Sequence, residues 1–100
     1  MNSPFRLPDF SVIVWIKKNE RFRTLRSQLI AAAGVAPYES TEYQGMVDFH
    51  WGAGNLNEAK TIAQLLESAA LHSELILLHL MSRVDGVESI TIKDERHTSH

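Results

Sequence analysis

The sequence predicts an α+β domain, a two-layer α/β sandwich with two helices on one face of a four- to five-stranded sheet. Two long segments place apolar residues at the three- and four-residue spacing of an amphipathic helix. The shorter segments around them are rich in β-branched, aromatic and alternating apolar residues, which is typical of strands. Glycines and prolines separate the segments. The predicted order is strand, helix, strand or hairpin, helix, strand, strand.

Length and composition are those of one globular domain. We expect the 100 residues to form a single unit with its core at about 9–94 and irregular tails at 1–8 and 95–100. The absence of cysteine excludes a disulfide framework and thiolate metal sites. No run approaches the roughly 20 apolar residues of a membrane helix, and a charge and two prolines interrupt the first eight residues, unlike a signal peptide. We therefore expect a cytoplasmic protein.

The first strand and helix are predicted from one apolar run and one apolar stripe. Residues 10–16 are almost all apolar, which indicates a strand that is buried on both faces or central in the sheet. Asn19 is expected to cap a helix over residues 20–33, which Gly34 ends as its C′ residue. The apolar stripe of this helix is Phe22, Leu25, Leu29, Ala32 and Ala33. The aromatic residues expected in the core are Trp15, Phe22, Phe49 and Trp51.

The middle of the chain alternates between apolar and polar residues. Residues 41–51 are interpreted as a half-buried strand with Asp48 and His50 on its polar face. Its apolar face is expected to hold Tyr43, Val47, Phe49 and Trp51. The pattern leaves open whether residues 38–51 form one strand or a hairpin.

The second half is predicted to contain one more helix and two strands. Asn55 is expected to cap the second helix, with Glu58 reaching back in a capping box. Residues 73–81 fit either helix or strand, and a strand is favoured because an Asp-Gly turn signal follows. Residues 87–93 alternate as an edge strand does. Two helices crossing over one sheet in this order favour ferredoxin-like or closely related topology.

Basic residues cluster at the predicted start of the first helix. Up to residue 26 the chain carries six cations and two acids, whereas ten acids and four cations follow. The cluster consists of Lys17, Lys18, Arg21 and Arg23. Basic side chains beside unpaired helix N–H groups are typical of a phosphate or carboxylate site. A solvated basic face, paired with acids elsewhere in the chain or with the acidic surface of a second copy, is the favoured interpretation.

A glycine-containing turn is the other candidate position for this anion site. Gly52, Gly54 and Asn55 link a predicted strand to a predicted helix, where the backbone can approach an anion closely. The run resembles the opening of the dinucleotide-binding fingerprint, but Asn57 stands where the third glycine belongs. A plain strand-to-helix turn is the favoured interpretation.

The histidines and carboxylates give no specific catalytic or metal motif. The histidines are His50, His72, His79, His97 and His100, and none share metal-ligand spacing on a helix. His79 lies in an apolar run, so a hydrogen-bonded core or interface histidine is expected. Asp48 and His50 share a strand face, a pair that is also common on exposed sheets. We predict no metal or cofactor and favour a protein that is not an enzyme.

The leading functional prediction is an interaction or regulatory domain that acts by self-association or by binding a protein partner. The sheet face without helices is expected to meet a second subunit, giving a homodimer. The residues expected at that contact are Val12, Val14, Leu75, Leu77 and Met81, with Tyr38 and Tyr43 as further partner-surface candidates. The alternative is a binder of, or enzyme acting on, a small phosphate or carboxylate. Nucleic acid is not favoured because most of the chain is acidic.

Overall fold

The computed structural model describes residues 6–70 and 72–96, so most of the predicted tails, including His97 and His100, lies outside the described residues. The described part contains five strands, two α-helices and one short 3₁₀ helix. The elements are β1 (Phe10–Lys17), α1 (Phe22–Ala33), β2 (Glu39–Tyr43), β3 (Met46–Ala53), α2 (Leu56–Ala69), the 3₁₀ helix His72–Glu74, β4 (Leu75–Ser82) and β5 (Ile90–Asp94). Neither described α-helix is long and apolar enough to cross a membrane.

The sheet has the order β2-β3-β1-β4-β5, and every neighbouring pair is antiparallel. The two helices pack on one face of this open sheet and share one hydrophobic core with it. The predicted α+β sandwich is confirmed, and the arrangement is compatible with a ferredoxin-like layout. No described helix covers the other face of the sheet. The residues of β1 that point to this face therefore have no helix above them.

Alternation along β1 decides which residues enter the core. Val12 and Val14 point towards the helices and are fully buried, whereas Ile13 and Trp15 lie on the uncovered face. The prediction that Trp15 fills the core is therefore wrong. A continuous apolar run conceals the period of two, so the sequence does not separate the faces. Val12, Val14 and Leu75, expected at a subunit contact, belong to the core, and only Leu77 and Met81 of that set lie on the uncovered face.

The two helices begin differently. In α2, the Asn55 side chain accepts from the Glu58 N–H at 2.8 Å, as predicted, and the Glu58 carboxylate accepts from the Gly54 N–H at 3.1 Å. In α1 the N-cap is Arg21, with no side-chain cap, so the expected cap at Asn19 is wrong. The Asn19 side chain instead accepts from the Arg21 N–H at 2.9 Å and closes a turn before the helix.

Residues 38–51 form a hairpin, which resolves the open alternative. Gln44 and Gly45 have φ values of 50° and 77°, and two left-handed residues are what a two-residue type I′ turn requires. The turn pairs Tyr43 with Met46, so Tyr43 lies on the face opposite to Val47 and is 61% exposed. The expected grouping of Tyr43 with Val47 is wrong because the turn reverses the chain between them.

The last two strands contain an irregularity that changes which residues of β5 are buried. Residues 75–82 form a strand, as favoured over a helix. In β5 the pairing passes from Lys93 to Thr91 and leaves Ile92 as an extra residue, a β-bulge. Lys93 is consequently buried, while Ile90 and Ile92 are exposed. The edge strand is also shorter than predicted, because residues 87–89 remain in the loop.

We predict that Asn55→Ala lowers the free energy of unfolding by about 1 kcal/mol, because the Glu58 N–H loses its acceptor at the start of α2. Asn57→Ala is the matched control. It makes the same change two residues later, at an exposed position inside the helix, and should leave stability unchanged or slightly raised. Urea unfolding measures both, and equal effects of the two substitutions would contradict the cap.

Candidate functional site

The uncovered face of the sheet holds a cleft of about 280 Å³, which we call the open-face cleft. Its apolar lining consists of Ile13, Trp15, Leu77 and Met81. Its polar lining consists of Asp48, His50, His79, Thr91 and Arg96. Ile13 and Leu77 are only 6% and 4% exposed, although no helix covers them, so they form the floor beneath larger side chains. An apolar floor with a few polar groups is the usual composition of a small-ligand site.

One wall of the cleft is a carboxylate–imidazole pair on β3. Asp48 and His50 are two residues apart, so both project from the uncovered face, and His50 Nε2 lies 3.0 Å from Asp48 Oδ2. The other Asp48 oxygen accepts from the Thr41 N–H at 2.7 Å, which fixes the carboxylate. Because a carboxylate only accepts, His50 Nε2 carries the hydrogen. His50 Nδ1 is buried and has no hydrogen-bond partner among the described residues.

The opposite wall contains a second imidazole. His79 on β4 lies across from Thr91 on β5, with 2.9 Å between Nδ1 and the hydroxyl oxygen. Burial lowers the pKa of His79 below its ordinary value of 6.5, and the charge of Arg96 lowers it further, while Asp94 acts in the opposite direction. His79 is therefore neutral at pH 7.

The charges around the cleft are paired within the chain. The Arg96 guanidinium makes two hydrogen bonds to the Asp94 carboxylate, at 2.9 and 2.8 Å, and lies 5.2 Å from the centre of the Trp15 ring. This bidentate pair raises the pKa of Arg96 above its ordinary value. Asp48 in turn is hydrogen-bonded to His50 Nε2, so both charged residues of the lining have a partner within the chain.

A buried polar cluster borders the same face. The Arg83 guanidinium donates to the Ser11 hydroxyl at 2.7 Å and to the Pro8 carbonyl at 2.9 Å. Ser11 is fully buried and lies 2.8 Å from the Tyr38 hydroxyl, and the Tyr38 ring meets the His50 ring edge to face. These bonds tie the segment before β1, the segment before β2 and the end of β4 into one rigid border.

The two parts of the predicted anion site lie at opposite ends of β1. Lys17 pairs with Met46 at one end, and Gly52 pairs with Ser11 at the other. Six residues of strand separate them, which is about 20 Å. The structure therefore does not bring the basic cluster and the glycine turn together.

Most groups of the basic part already have partners. Lys18 lies 2.8 Å from a Glu42 oxygen, and Arg21 lies 3.0 Å from a Glu74 oxygen. Lys17 and Arg21 line a cleft of about 170 Å³ into which Glu74 also projects, and Arg23 is exposed on α1. A carboxylate inside this cleft weakens its attraction for anions.

The glycine turn is also explained by contacts within the chain. The Gly54 N–H and the Asn55 side chain both bond to Glu58, so a carboxylate already occupies the start of α2. A Cβ at Gly52 would lie 2.9 Å from Pro8 Cγ, closer than side-chain atoms normally approach. Glycine is needed here because Pro8 packs directly on the strand. The predicted anion site stays a prediction at both places.

The open-face cleft contains residues that no sequence pattern assigns to one site. The Asp48 and His50 spacing on one strand face is visible in the sequence, and their contact confirms that alternation. Arg83 and Arg96 each follow a strand. Arg83 contacts Ser11, 72 positions away, and Arg96 contacts Trp15, about 80 positions away, so no local sequence pattern reveals either contact. Among the described residues, no three histidine, aspartate or glutamate side chains converge on a metal position.

Together, fold and cleft define a small α+β sandwich domain with one uncovered, partly apolar sheet face. Comparison with known protein families, curated proteins and solved structures finds no match. Because this fold class hosts enzymes and binding modules alike, function is inferred from the chemistry of the surface alone.

We predict that His79→Gln reduces the loss of stability at acid pH. The folded chain lowers the pKa of His79, so the unfolded chain takes up this proton at a higher pH. The contribution of neutral His79 to the free energy of unfolding is fully present above the ordinary pKa of 6.5. It is lost as the pH falls from there through the lower pKa that His79 has in the folded chain. Urea unfolding between about pH 7.5 and 5 should give a smaller decline for the variant, whereas parallel curves would contradict the assignment.

Proposed function

We propose that this protein is a non-enzymatic interaction domain and that its uncovered sheet face is the recognition surface for a second copy of the chain. The observation that supports the proposal is the apolar centre of this face, formed by Ile13, Trp15, Leu77 and Met81. Ile13 and Leu77 are already nearly buried, whereas Trp15 and Met81 keep part of their surface in water, and a partner that covers them lowers the free energy. We also propose that the protein is cytoplasmic. We do not propose a nucleic acid as its partner.

The size of the face suits a homodimer. The five strands contain 34 residues in total. At about 3.3 Å per residue and about 4.8 Å between strands, they cover roughly 540 Å² in projection. A stable interface takes about 800 Å² of accessible surface from each partner, and side chains raise accessible area above projected area. One sheet face is therefore of the right order for one interface.

The electrostatics of the face also favour a second copy over a strongly charged partner. Asp48 and Arg96, the charged residues that line the cleft, are bonded to His50 and Asp94 within the chain. A charge that keeps its hydrogen-bond partner costs less to bury than an unpaired one. A two-fold contact brings like surfaces together, so charges that are hydrogen-bonded within each chain are an advantage.

We predict that the wild-type chain has a mass of twice 11.3 kDa in light scattering at about 100 μM, and that Met81→Glu gives the monomer mass. The substitution places a charge on the apolar part of the uncovered face, where a partner would bury it. Leu65→Glu is the matched control, because Leu65 is an exposed apolar residue of α2 and lies on the helix side.

Met46→Glu is the second variant, because Met46 lies outside the cleft and continues the Asp48 face of β3. Circular dichroism checks that each variant is folded. A wild-type monomer at this concentration, or equal dissociation by Leu65→Glu, would refute self-association through this face.

The second proposal is binding of a small phosphate or carboxylate at the basic part of the predicted anion site. The cleft lined by Lys17, Asn19 and Arg21 supports it, since two cations and an amide share one concave surface. Glu74 in the same cleft lowers the expected affinity. The glycine turn is the weaker position, because Glu58 already accepts from its backbone.

We predict that inorganic phosphate raises the melting temperature of the wild-type chain more than that of the double variant Lys17→Gln and Arg21→Gln. The lost cations remove the attraction for the anion. Lys60→Gln, which removes an exposed cation on α2, is the control and should behave as wild type. The same shift in all three proteins would show a general salt effect and would remove this proposal.

A further inference from the structure

We propose that the free edge of β2 binds an extended, positively charged peptide segment of another protein, which joins the sheet as an additional strand. β2 ends the strand order β2-β3-β1-β4-β5, so only one of its edges is paired. Strand addition at a sheet edge is a recurring mode of peptide recognition, in which main-chain hydrogen bonds supply the affinity. The proposal concerns the edge of the sheet and does not rest on self-association through the uncovered face.

β2 is an accessible and regular edge. All five of its residues, Glu39–Tyr43, are exposed. Its register with β3 continues from one end of β2 to the other without a shift, whereas the opposite edge of the sheet, β5, is interrupted by its bulge. β2 also contains no proline and no lysine, two residues that often protect a sheet edge from pairing. Nothing in the strand itself therefore prevents a further strand from pairing with it.

The geometry of the hairpin determines which backbone groups of β2 face the free edge. The two-residue turn makes Tyr43 and Met46 a hydrogen-bonded pair, and such pairs recur at every second residue of an antiparallel ladder. Thr41 has the same parity as Tyr43, and its N–H donates to a side chain of β3. Ser40 and Glu42 have the other parity, so their N–H and C=O groups point to the free edge. An added strand meets two donors and two acceptors there.

The charge of the edge favours a cationic partner over a second copy of the chain. β2 contains two glutamates, Glu39 and Glu42, and no cation. Lys18 pairs with Glu42 at 2.8 Å, whereas no cation of the described residues lies within ion-pair distance of Glu39. Two β2 strands from two copies would place four glutamates in neighbouring strands, where like charges are destabilising. A strand with lysine or arginine opposite each glutamate gains free energy from the same positions.

The residues of β2 determine the sequence of a probe peptide. Every strand pair of the sheet is antiparallel, so the probe is aligned antiparallel to β2. Acetyl-Trp-Lys-Thr-Val-Lys-amide places its two lysines opposite Glu42 and Glu39, and its tryptophan opposite Tyr43, which is 61% exposed. Opposite-charge and aromatic pairs across strands both stabilise antiparallel sheets. In this alignment the N–H groups of the first lysine and of the valine face Glu42 and Ser40.

The test compares this peptide with two doubly N-methylated forms by NMR titration of the ¹⁵N-labelled chain. Methylation of the first lysine and the valine removes the two donors that face β2, and should raise the dissociation constant about tenfold or more. Methylation of the threonine and the second lysine, whose N–H groups face away, is the matched control and should raise it about threefold or less. Glutamate in place of both lysines should weaken binding about tenfold.

Ser40→Pro removes an N–H group that faces the free edge and should abolish binding of the probe. Proline is tolerated on an edge strand where its nitrogen points to solvent. Ser40→Ala keeps the backbone donor and is the control, which should bind as wild type does. Urea unfolding checks that both variants are folded, and the methylated peptides decide the matter on the wild-type chain even where Ser40→Pro does not fold.

Four results would overturn the inference: equal effects of the two methylation patterns, tighter binding of the glutamate peptide, no saturable shift up to about 5 mM probe, or shifts confined to β5 or to the open-face cleft. Loss of a dimer mass in Ser40→Pro without any peptide binding would assign the edge to a second copy instead. Titration of Met81→Glu separates the edge from the proposed dimer, because a monomer of this variant should bind the probe as wild type does.

Discussion

Burial of β1 on both faces is the constraint on which the other features depend. Its backbone is hydrogen-bonded to β3 on one edge and to β4 on the other, so it lies in the centre of the sheet. Val12 and Val14 are buried by the helices, whereas Ser11 and Ile13 are buried without any helix above them. Ser11 is bonded to the side chains of Arg83 and Tyr38, and Ile13 lies in the lining of the open-face cleft.

The polar cluster around Ser11 shows how the uncovered face is stabilised. A fully buried hydroxyl beside a guanidinium would be costly without partners, and here every member is bonded to at least one other. Arg83 joins the end of β4 to the Pro8 carbonyl, and Gly52 lets Pro8 lie against β3. The border of the face is thus held in place by hydrogen bonds within the chain. A border held in this way would lose little entropy if a partner bound to it.

Local patterns predicted most of the fold. The helices, Gly34 as the C-cap of α1, the Asn55 cap and the Asp48–His50 contact all follow from spacings of two to four residues. The faces of β1 could not be assigned, because a continuous apolar run carries no alternation, and Trp15 was misplaced for that reason. The hairpin turn has Gln44 before its glycine, not the asparagine or aspartate that marks such turns most strongly.

Contacts between distant parts of the chain could not be predicted. The cleft needs side chains from β1, β3, β4 and β5, together with Arg96, and their meeting depends on strand order. The bulge at Ile92 exchanges the faces of the residues around it, and no residue type announces it in advance. The sequence therefore shows individual polar residues that could bind a ligand, but it does not show that they meet in one cleft.

The buried lysine of β5 has a consequence for how chains can meet. β5 is an edge strand with two exposed isoleucines, Ile90 and Ile92, which by themselves would favour pairing with the edge of another sheet. Lys93 points inward with its amine 3.5 Å from a Glu95 oxygen, and the bulge distorts the backbone beside it. A neighbouring strand would have to match this distortion and enclose the ammonium group. Pairing of another sheet with the β5 edge is thereby discouraged.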